Sequence, residues 1–178
     1  MVASCSPNAS VKDRALITLA SVVPDIDGFG ALPDLLTKNS AHPLDWFSRY
    51  HHQLHNLAFA LAFAALCFLI ADRRISTSLL ALLSFHLHLF EDLLGGRGPD
   101  GFPWPIPYFL PFSTRQFSWS GQWALNAWPN FAITFVLLLV TFYLAWRTAH
   151  SPLEILSNRA NAAFVAALRT RFPFRQTA

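Results

Sequence analysis

Three long stretches of the chain contain no Asp, Glu, Lys or Arg: residues 50–71, 75–90 and 116–146. Charged residues make up 13% of the chain and hydrophobic residues 53%, whereas charged residues are about 25% of an ordinary soluble domain. A soluble fold of this size needs charged groups for its surface, so we expect an integral membrane protein. The same composition excludes disorder and collagen. Two cysteines, Cys5 and Cys67, cannot form a disulfide scaffold.

Four apolar segments are the candidate membrane helices: residues 11–23, 57–71, 78–94 and 131–146. A helix needs about 20 residues to cross about 30 Å of hydrocarbon, and the first segment has only nine apolar residues in sequence. We therefore expect an all-α fold, an integral membrane bundle of about four helices, with residues 1–150 as one domain. Residues 151–178 are predicted to form a basic cytoplasmic tail, with either a short amphipathic helix over 162–168 or no structural role. The alternative is a soluble helical protein with two buried helices.

Charge is divided unequally between the two faces of this arrangement. One face, with both termini and the turn at residues 72–74, carries nine basic and three acidic residues, and the other carries four basic and seven acidic. Cytoplasmic loops are enriched in Lys and Arg, so we expect an inner-membrane protein with both termini in the cytoplasm. The loops at about 24–50 and 95–127 then face outward. Pro24 to Asp27 stand where a signal peptide would have a cleavage site, so we expect the first helix to be retained.

The outer loop after residue 95 has its own composition. It contains a glycine-rich stop at residues 95–101 and then four prolines interleaved with five aromatic residues over 102–112. Proline removes the amide that a helix or sheet needs, so we expect a stiff segment over the outer helix ends, as either a lid or an interfacial band. The partners expected from this pattern are the lipid bilayer and a small-molecule or lipid-like substrate. Nucleic acid is excluded as a partner, since no basic residues interleave with the outer aromatics.

Residues able to bind a metal ion occur in three short stretches. Asp25 and Asp27 follow the first helix, and in an extended segment their i, i+2 spacing would point both carboxylates the same way. The second stretch, His51-His52-Gln53-Leu54-His55, leads into the next helix. On a helix, His51 and His55 or His52 and His55 would share a face, which is the usual way to present two imidazoles to zinc.

The third stretch ends the next apolar segment. His88 and Asp92 are spaced i, i+4, and Glu91 is a further carboxylate beside them. Ionisable groups at membrane depth are costly and face a partner or the bundle interior. All three stretches fall on the same outer face when the topology is assigned from Lys and Arg alone. The sequence therefore predicts one metal site there. His42 and His150 are not expected to be ligands, and His86 is expected deeper, on a different face of its helix.

Residues 20–112 resemble a family, the LexA-binding, inner-membrane-associated hydrolases, also described as predicted membrane-bound metal-dependent hydrolases. The matching motifs are Pro-Asp-Ile-Asp at 24–27, His-x-x-x-Asp at 88–92, a glycine pair at 95–96 and Pro-Phe at 111–112. The family's His-Arg-x-x-Thr-His motif fits only in part: His55 matches its last histidine, but Tyr50 stands at the position of the first. The resemblance implies a metal-dependent hydrolase and carries over no substrate.

The predicted ligand set is Asp27, His51, His55, His88 and Asp92, with Asp25 as the alternative to Asp27 and His52 as the alternative to His51. Mixed nitrogen and oxygen ligands suit a divalent ion, zinc first, with manganese and iron as alternatives. Such an ion would activate water to attack an ester or phosphoester. Glu91 and Asp25 are the candidate general bases. The rival hypotheses are a non-catalytic metal-binding or adaptor protein, a haem protein and a di-iron membrane protein.

Overall fold

The computed structural model describes residues 1–6, 8–98 and 101–173, and over these ranges the fold is all-helical, with two isolated bridges and no strand. Pro99 and Asp100 of the glycine-rich stop and Arg175 of the tail lie outside the described residues. The α-helices are α1 (Val11–Leu19), α2 (Ala31–Thr37), α3 (Trp46–Tyr50), α4 (Leu57–Ile70), α5 (Arg74–Gly95), α6 (Trp128–Thr148) and α7 (Asn158–Arg171). Three 3₁₀ helices span Val2–Cys5, Val23–Gly30 and Pro152–Ile155.

Two helices, α5 and α6, are long and apolar enough to cross a membrane. A third span is present if Val11–Leu19 and Val23–Thr37, which bend by 53° between them, cross as one broken element. The expected count of four is not confirmed. The second predicted helix, α4, has only 14 residues, which at 1.5 Å per residue cover about 21 Å. It ends early because the chain turns at Ala71 and Asp72 into α5.

The helical hairpin of α4 and α5 forms the centre of the fold, with α1 packed against it. Small side chains allow the close approach, and the shared core is Leu16, Ala20, Cys67, Ala71 and Ala81. Asp13 on α1 is fully buried, and its Oδ1 accepts a hydrogen bond from the backbone amide of Asp72 at 2.9 Å. This contact fixes α1 to the turn of the hairpin.

The proline-rich loop covers the opposite end of the hairpin, as the sequence predicted for a lid. Ile106 is buried against Ala60, Phe85 and Leu89, and Tyr108 packs beside them. The carbonyl of Tyr108 accepts a hydrogen bond from the amide of Leu57, the first residue of α4, at 2.9 Å. The loop is therefore part of the folded core at this end, which we call the site end.

The segment after residue 150 is anchored to the N-terminal helix. Arg14 donates to Glu154 through Nε at 2.8 Å and Nη2 at 3.2 Å, and both side chains are buried. His150 Nδ1 lies 2.7 Å from the same carboxylate. The predicted amphipathic helix corresponds to α7, Asn158–Arg171. His150, predicted to have no ligand role, thus belongs to an ion-pair network.

Candidate metal site at the site end of the hairpin

Helix α5 provides two of the candidate ligands near its last turn. His88 and Asp92 are one helical turn apart, and the distance from His88 Nε2 to Asp92 Oδ2 is 3.2 Å. The helix ends at Gly95, where a Cβ would come within 2.6 Å of Trp123 Nε1. Glycine is therefore needed there for α5 to meet the segment that leads into α6.

The third candidate, His55, stands just before α4 rather than on it. Asn56 is the N-cap of α4, and its Oδ1 accepts from the amide of Phe59 at 2.8 Å. Residues 51–54 form a turn, so His51 and His55 do not share a helical face as the sequence suggested. The turn nevertheless buries His55, which is 1% exposed, and points its Nε2 at His88.

The two aspartates after α1 point to different places, contrary to the extended segment expected there. They lie in the 3₁₀ helix Val23–Gly30, where three residues complete a turn and residues two apart face different sides. Asp25 Oδ1 lies 3.4 Å from His55 Nε2. Asp27 turns away, with Oδ1 3.1 Å from His51 Nδ1 and Oδ2 accepting from the amide of Leu54 at 3.1 Å. Asp25, and not Asp27, therefore stands beside the imidazole pair.

The resulting cluster consists of Asp25, His55, His88 and Asp92. The two Nε2 atoms are 3.4 Å apart, and Asp25 Oδ1 is 3.4 and 3.5 Å from them. Asp92 Oδ2 lies 3.4 Å from His55 Nε2 and 3.2 Å from His88 Nε2. Among the described residues, the ligand atoms of Asp25, His55 and His88 form a group that all lie within 4.8 Å of one another, and Asp92 adjoins this group through the two imidazoles. Two nitrogens and two carboxylates thus converge from three separate parts of the chain.

The separations among Asp25 Oδ1, His55 Nε2 and His88 Nε2 fit a bound divalent ion. Ligands at 2.0–2.1 Å from one zinc ion in tetrahedral directions are about 3.3–3.4 Å apart. Asp92 Oδ2 is buried and has no aligned hydrogen bond among the described residues, which costs free energy unless a cation satisfies it. His55 Nδ1 is likewise buried without a partner in the described part of the chain, so this imidazole lacks the second hydrogen bond that usually orients a metal ligand.

The pKa values of His52 and His55 are shifted in opposite directions. Burial, together with the nearby imidazoles of His55 and His51, lowers the pKa of His52 to about 4, so His52 is neutral at pH 7. For His55, burial opposes the charged form, but the carboxylates of Asp25 and Asp92 outweigh it and raise its pKa. The carboxylates therefore draw positive charge to the cluster, and protons would compete with a metal ion for it.

A cavity of about 210 Å³, which we call the site cavity, opens beside the cluster. Asp25 and Asp92 line it, and so do His51, His52 and Trp104. The ring of His51 is stacked on Phe47 at 4.3 Å. Glu91, a predicted base, does not line this cavity; it lines a separate one on the α5–α6 side. His51 is thus better placed than Glu91 to meet a molecule in the site cavity.

Sequence reasoning missed Gln122, which holds the lid against the ligand helix. This side chain is 1% exposed. Its Nε2 donates to the carbonyl of Asp92 at 2.8 Å, and its Oε1 accepts from the amide of Trp104 at 2.9 Å. An isolated glutamine in a loop carries no sequence signal, and only the long-range contacts reveal it. His86 is fully engaged elsewhere, with Leu82 O at 2.8 Å and Tyr108 Oη at 2.9 Å.

Comparisons with known proteins give one match. No curated protein and no solved structure matches the chain. The model of the family described as YdjM inner membrane protein matches residues 2–170, which includes every residue of the cluster. The match agrees with the apolar helices α5 and α6 in placing the protein in a membrane. The chain therefore belongs to the YdjM inner membrane protein family.

Proposed function

We propose that this protein is a membrane-bound metal-dependent hydrolase that cleaves an ester or phosphoester bond. The observation that carries the proposal is the convergence of Asp25, His55, His88 and Asp92 beside a cavity. The ligand set of two imidazoles and carboxylates suits zinc, with manganese and iron as alternatives. Under this proposal Asp25 takes the ligand role that the sequence assigned to Asp27.

When bound, a divalent ion would polarise the substrate and make a water molecule acidic enough to react near pH 7. His55 and His88 would hold it through Nε2, and Asp25 and Asp92 through the oxygens that face those nitrogens. Since a catalytic site must leave room for water and substrate, the adjoining site cavity supports catalysis over a closed structural site.

The proton released by the attacking water needs an acceptor. His51 lines the site cavity, and Asp27 contacts its Nδ1, an arrangement that fixes the tautomer and leaves Nε2 to accept a proton. Water oxygen then bonds to the carbonyl carbon or phosphorus as the ester bond breaks, and His51 returns the proton to the departing alkoxide. Glu91 is the alternative base predicted from the sequence.

The proposal also includes the orientation in the membrane. Both termini would lie in the cytoplasm and the site end would face outward, because basic residues predominate at the termini and at the Asp72–Arg74 turn. The site would then stand at the outer surface of the inner membrane, within reach of lipid-like substrates.

Hydrolysis by the purified, metal-loaded protein tests the proposal. A panel of esters and phosphoesters, including membrane lipids, should yield at least one substrate whose turnover stops in His88→Ala. His86→Gln is the matched control, because His86 is on the same helix and bonds away from the cluster. A metal-loaded protein that turns over none of the panel would instead support the non-catalytic adaptor hypothesis.

A further inference from the structure

Three cavities lie side by side at the site end, with the site cavity between the other two. A cavity of about 730 Å³, which we call the loop cavity, shares His51, His52 and Trp104 with the site cavity. A cavity of about 420 Å³, which we call the helix groove, shares Asp92 and Leu125 with it. Both outer cavities have the volume of an ordinary ligand pocket. A ligand longer than the site cavity can therefore extend to either side of the cluster.

The loop cavity is suited to a polar, anionic group. Arg49, Thr114 and Gln116 line it together with the rigid walls of Phe47 and Pro105. Arg49 is the only Lys or Arg among the described residues that line these three cavities. Its contact with Asp45 is 3.9 Å long and both side chains are more than half exposed, so that ion pair is weak. The guanidinium is thus available to an anion.

The helix groove is suited to a hydrocarbon chain. Leu94 of α5 and Phe131, Ile133 and Leu137 of α6 line it on the side of the two helices, and its acidic residues Glu91 and Asp92 stand at the end of α5. Both helices are candidate membrane spans, and only 6% of the most apolar window of α6 is buried within the protein. The groove therefore lies where lipid chains are present and opens next to the ligand Asp92.

We propose that the three cavities together bind one phospholipid, with its anionic headgroup in the loop cavity and one acyl chain in the helix groove. The phosphoester then lies beside the candidate metal ligands. The proposal names phospholipids as the substrate class of the proposed hydrolase. Cleavage of the phosphoester bond rests on that proposed function. Binding itself requires no hydrolysis, so the two can be tested separately.

Photo-crosslinking to the full-length protein in detergent micelles tests the binding site. The probe is phosphatidylglycerol with a diazirine on one acyl chain, and the labelled peptides are identified by mass spectrometry. Labelling should concentrate on residues 91–95 and 131–137. Unlabelled phosphatidylglycerol should compete with the probe, whereas glycerol phosphate, which lacks chains, and phosphatidylcholine, which has no net charge, should compete at least about tenfold less well.

Two variants with matched controls test the two halves of the site. Arg49→Gln should weaken probe binding about tenfold, the loss of one charge-assisted hydrogen bond. Arg115→Gln is the control and should leave binding unchanged, because Arg115 stands between two residues that line the loop cavity but does not line it itself. Thr134→Trp should fill the groove and abolish the α6 label, while Phe135→Trp, on the neighbouring exposed position, should not.

The outcomes are separable from those of the hydrolase test. If the label were spread along α6 and unchanged by Thr134→Trp, the acyl chain would not bind in the helix groove. If phosphatidylcholine competed as well as phosphatidylglycerol, or if Arg49→Gln bound the probe as tightly as the wild type, the headgroup would not bind in the loop cavity. Specific labelling of a protein that hydrolyses none of the panel would support the lipid-binding site and refute the hydrolase proposal. Hydrolysis of soluble esters without specific labelling would support the hydrolase proposal and refute the lipid-binding site.

Discussion

Removal of the Gln122 side chain should detach the proline-rich loop from the end of α5 and lower the free energy of unfolding. In Gln122→Ala the amide of the half-buried Trp104 loses its acceptor and the carbonyl of Asp92 loses one donor. A stranded buried donor costs about 1–3 kcal/mol, and the second lost hydrogen bond about 1 kcal/mol. The carbonyl of Asp92 still accepts from the amide of Gly96 at 2.9 Å, so it is not stranded. We expect a total loss of about 2–4 kcal/mol.

Thermal unfolding of the detergent-solubilised protein measures this loss. For a chain of this length, such a change lowers Tm by on the order of 10 °C. Gln116→Ala is the matched control, since Gln116 is an exposed glutamine of the same loop and surface changes rarely exceed about 0.5 kcal/mol. Gln122→Glu should fall between them, because it keeps the acceptor for Trp104 but turns a carboxylate oxygen towards the Asp92 carbonyl. Equal Tm values for Gln122→Ala and Gln116→Ala would refute the positioning role.

Four further changes have defined outcomes. Arg14→Ala should cost up to about 3–5 kcal/mol by leaving buried Glu154 with His150 but without its guanidinium partner. Arg14→Met with Glu154→Leu should recover most of that loss in the same unfolding assay; equal stability of the single and double variants would contradict this. His51→Gln should lower the rate of hydrolysis about 10²- to 10⁴-fold at unchanged metal content, while Glu91→Gln should lower it only slightly. A larger loss of rate in Glu91→Gln than in His51→Gln would make Glu91 the base. Gly95→Ala should destabilise by crowding Trp123 and Asn130, and Gly28→Ala, whose Cβ would meet nothing closer than 3.6 Å, should be tolerated. A reporter active only in the cytoplasm should work after Ala178 and be silent near Ser113; activity at both would overturn the topology.

Much of the architecture follows from local sequence signals. The uncharged stretches predict the apolar helices, and the glycine-rich stop predicted from residue 95 is where α5 ends in the structure. His88 and Asp92 meet because their spacing is one turn of a single helix. The three ligand stretches meet at one end of the fold, as predicted from a topology assigned from Lys and Arg alone.

The remaining features depend on contacts between distant parts of the chain. Asp25 and not Asp27 lies beside the imidazole pair because the backbone there is a 3₁₀ helix and not an extended segment. In this helix Gly28 and Gly30 lie close to His51 and Trp46, residues far along the chain. The predicted count of four spans is not confirmed, because α4 is apolar enough for a membrane helix but has only 14 residues. Neither Gln122 nor the Arg14–Glu154 pair has a local pattern, since each joins residues far apart in sequence.

Metal content is the most direct test of the central claim that Asp25, His55, His88 and Asp92 form a metal site. Elemental analysis of the purified protein should find about one divalent ion per chain in the wild type and in His86→Gln, and almost none in His88→Ala. Acidification should release the ion, because protons compete for the imidazoles and carboxylates. A wild type without metal, or equal loss in His86→Gln and His88→Ala, would contradict the account.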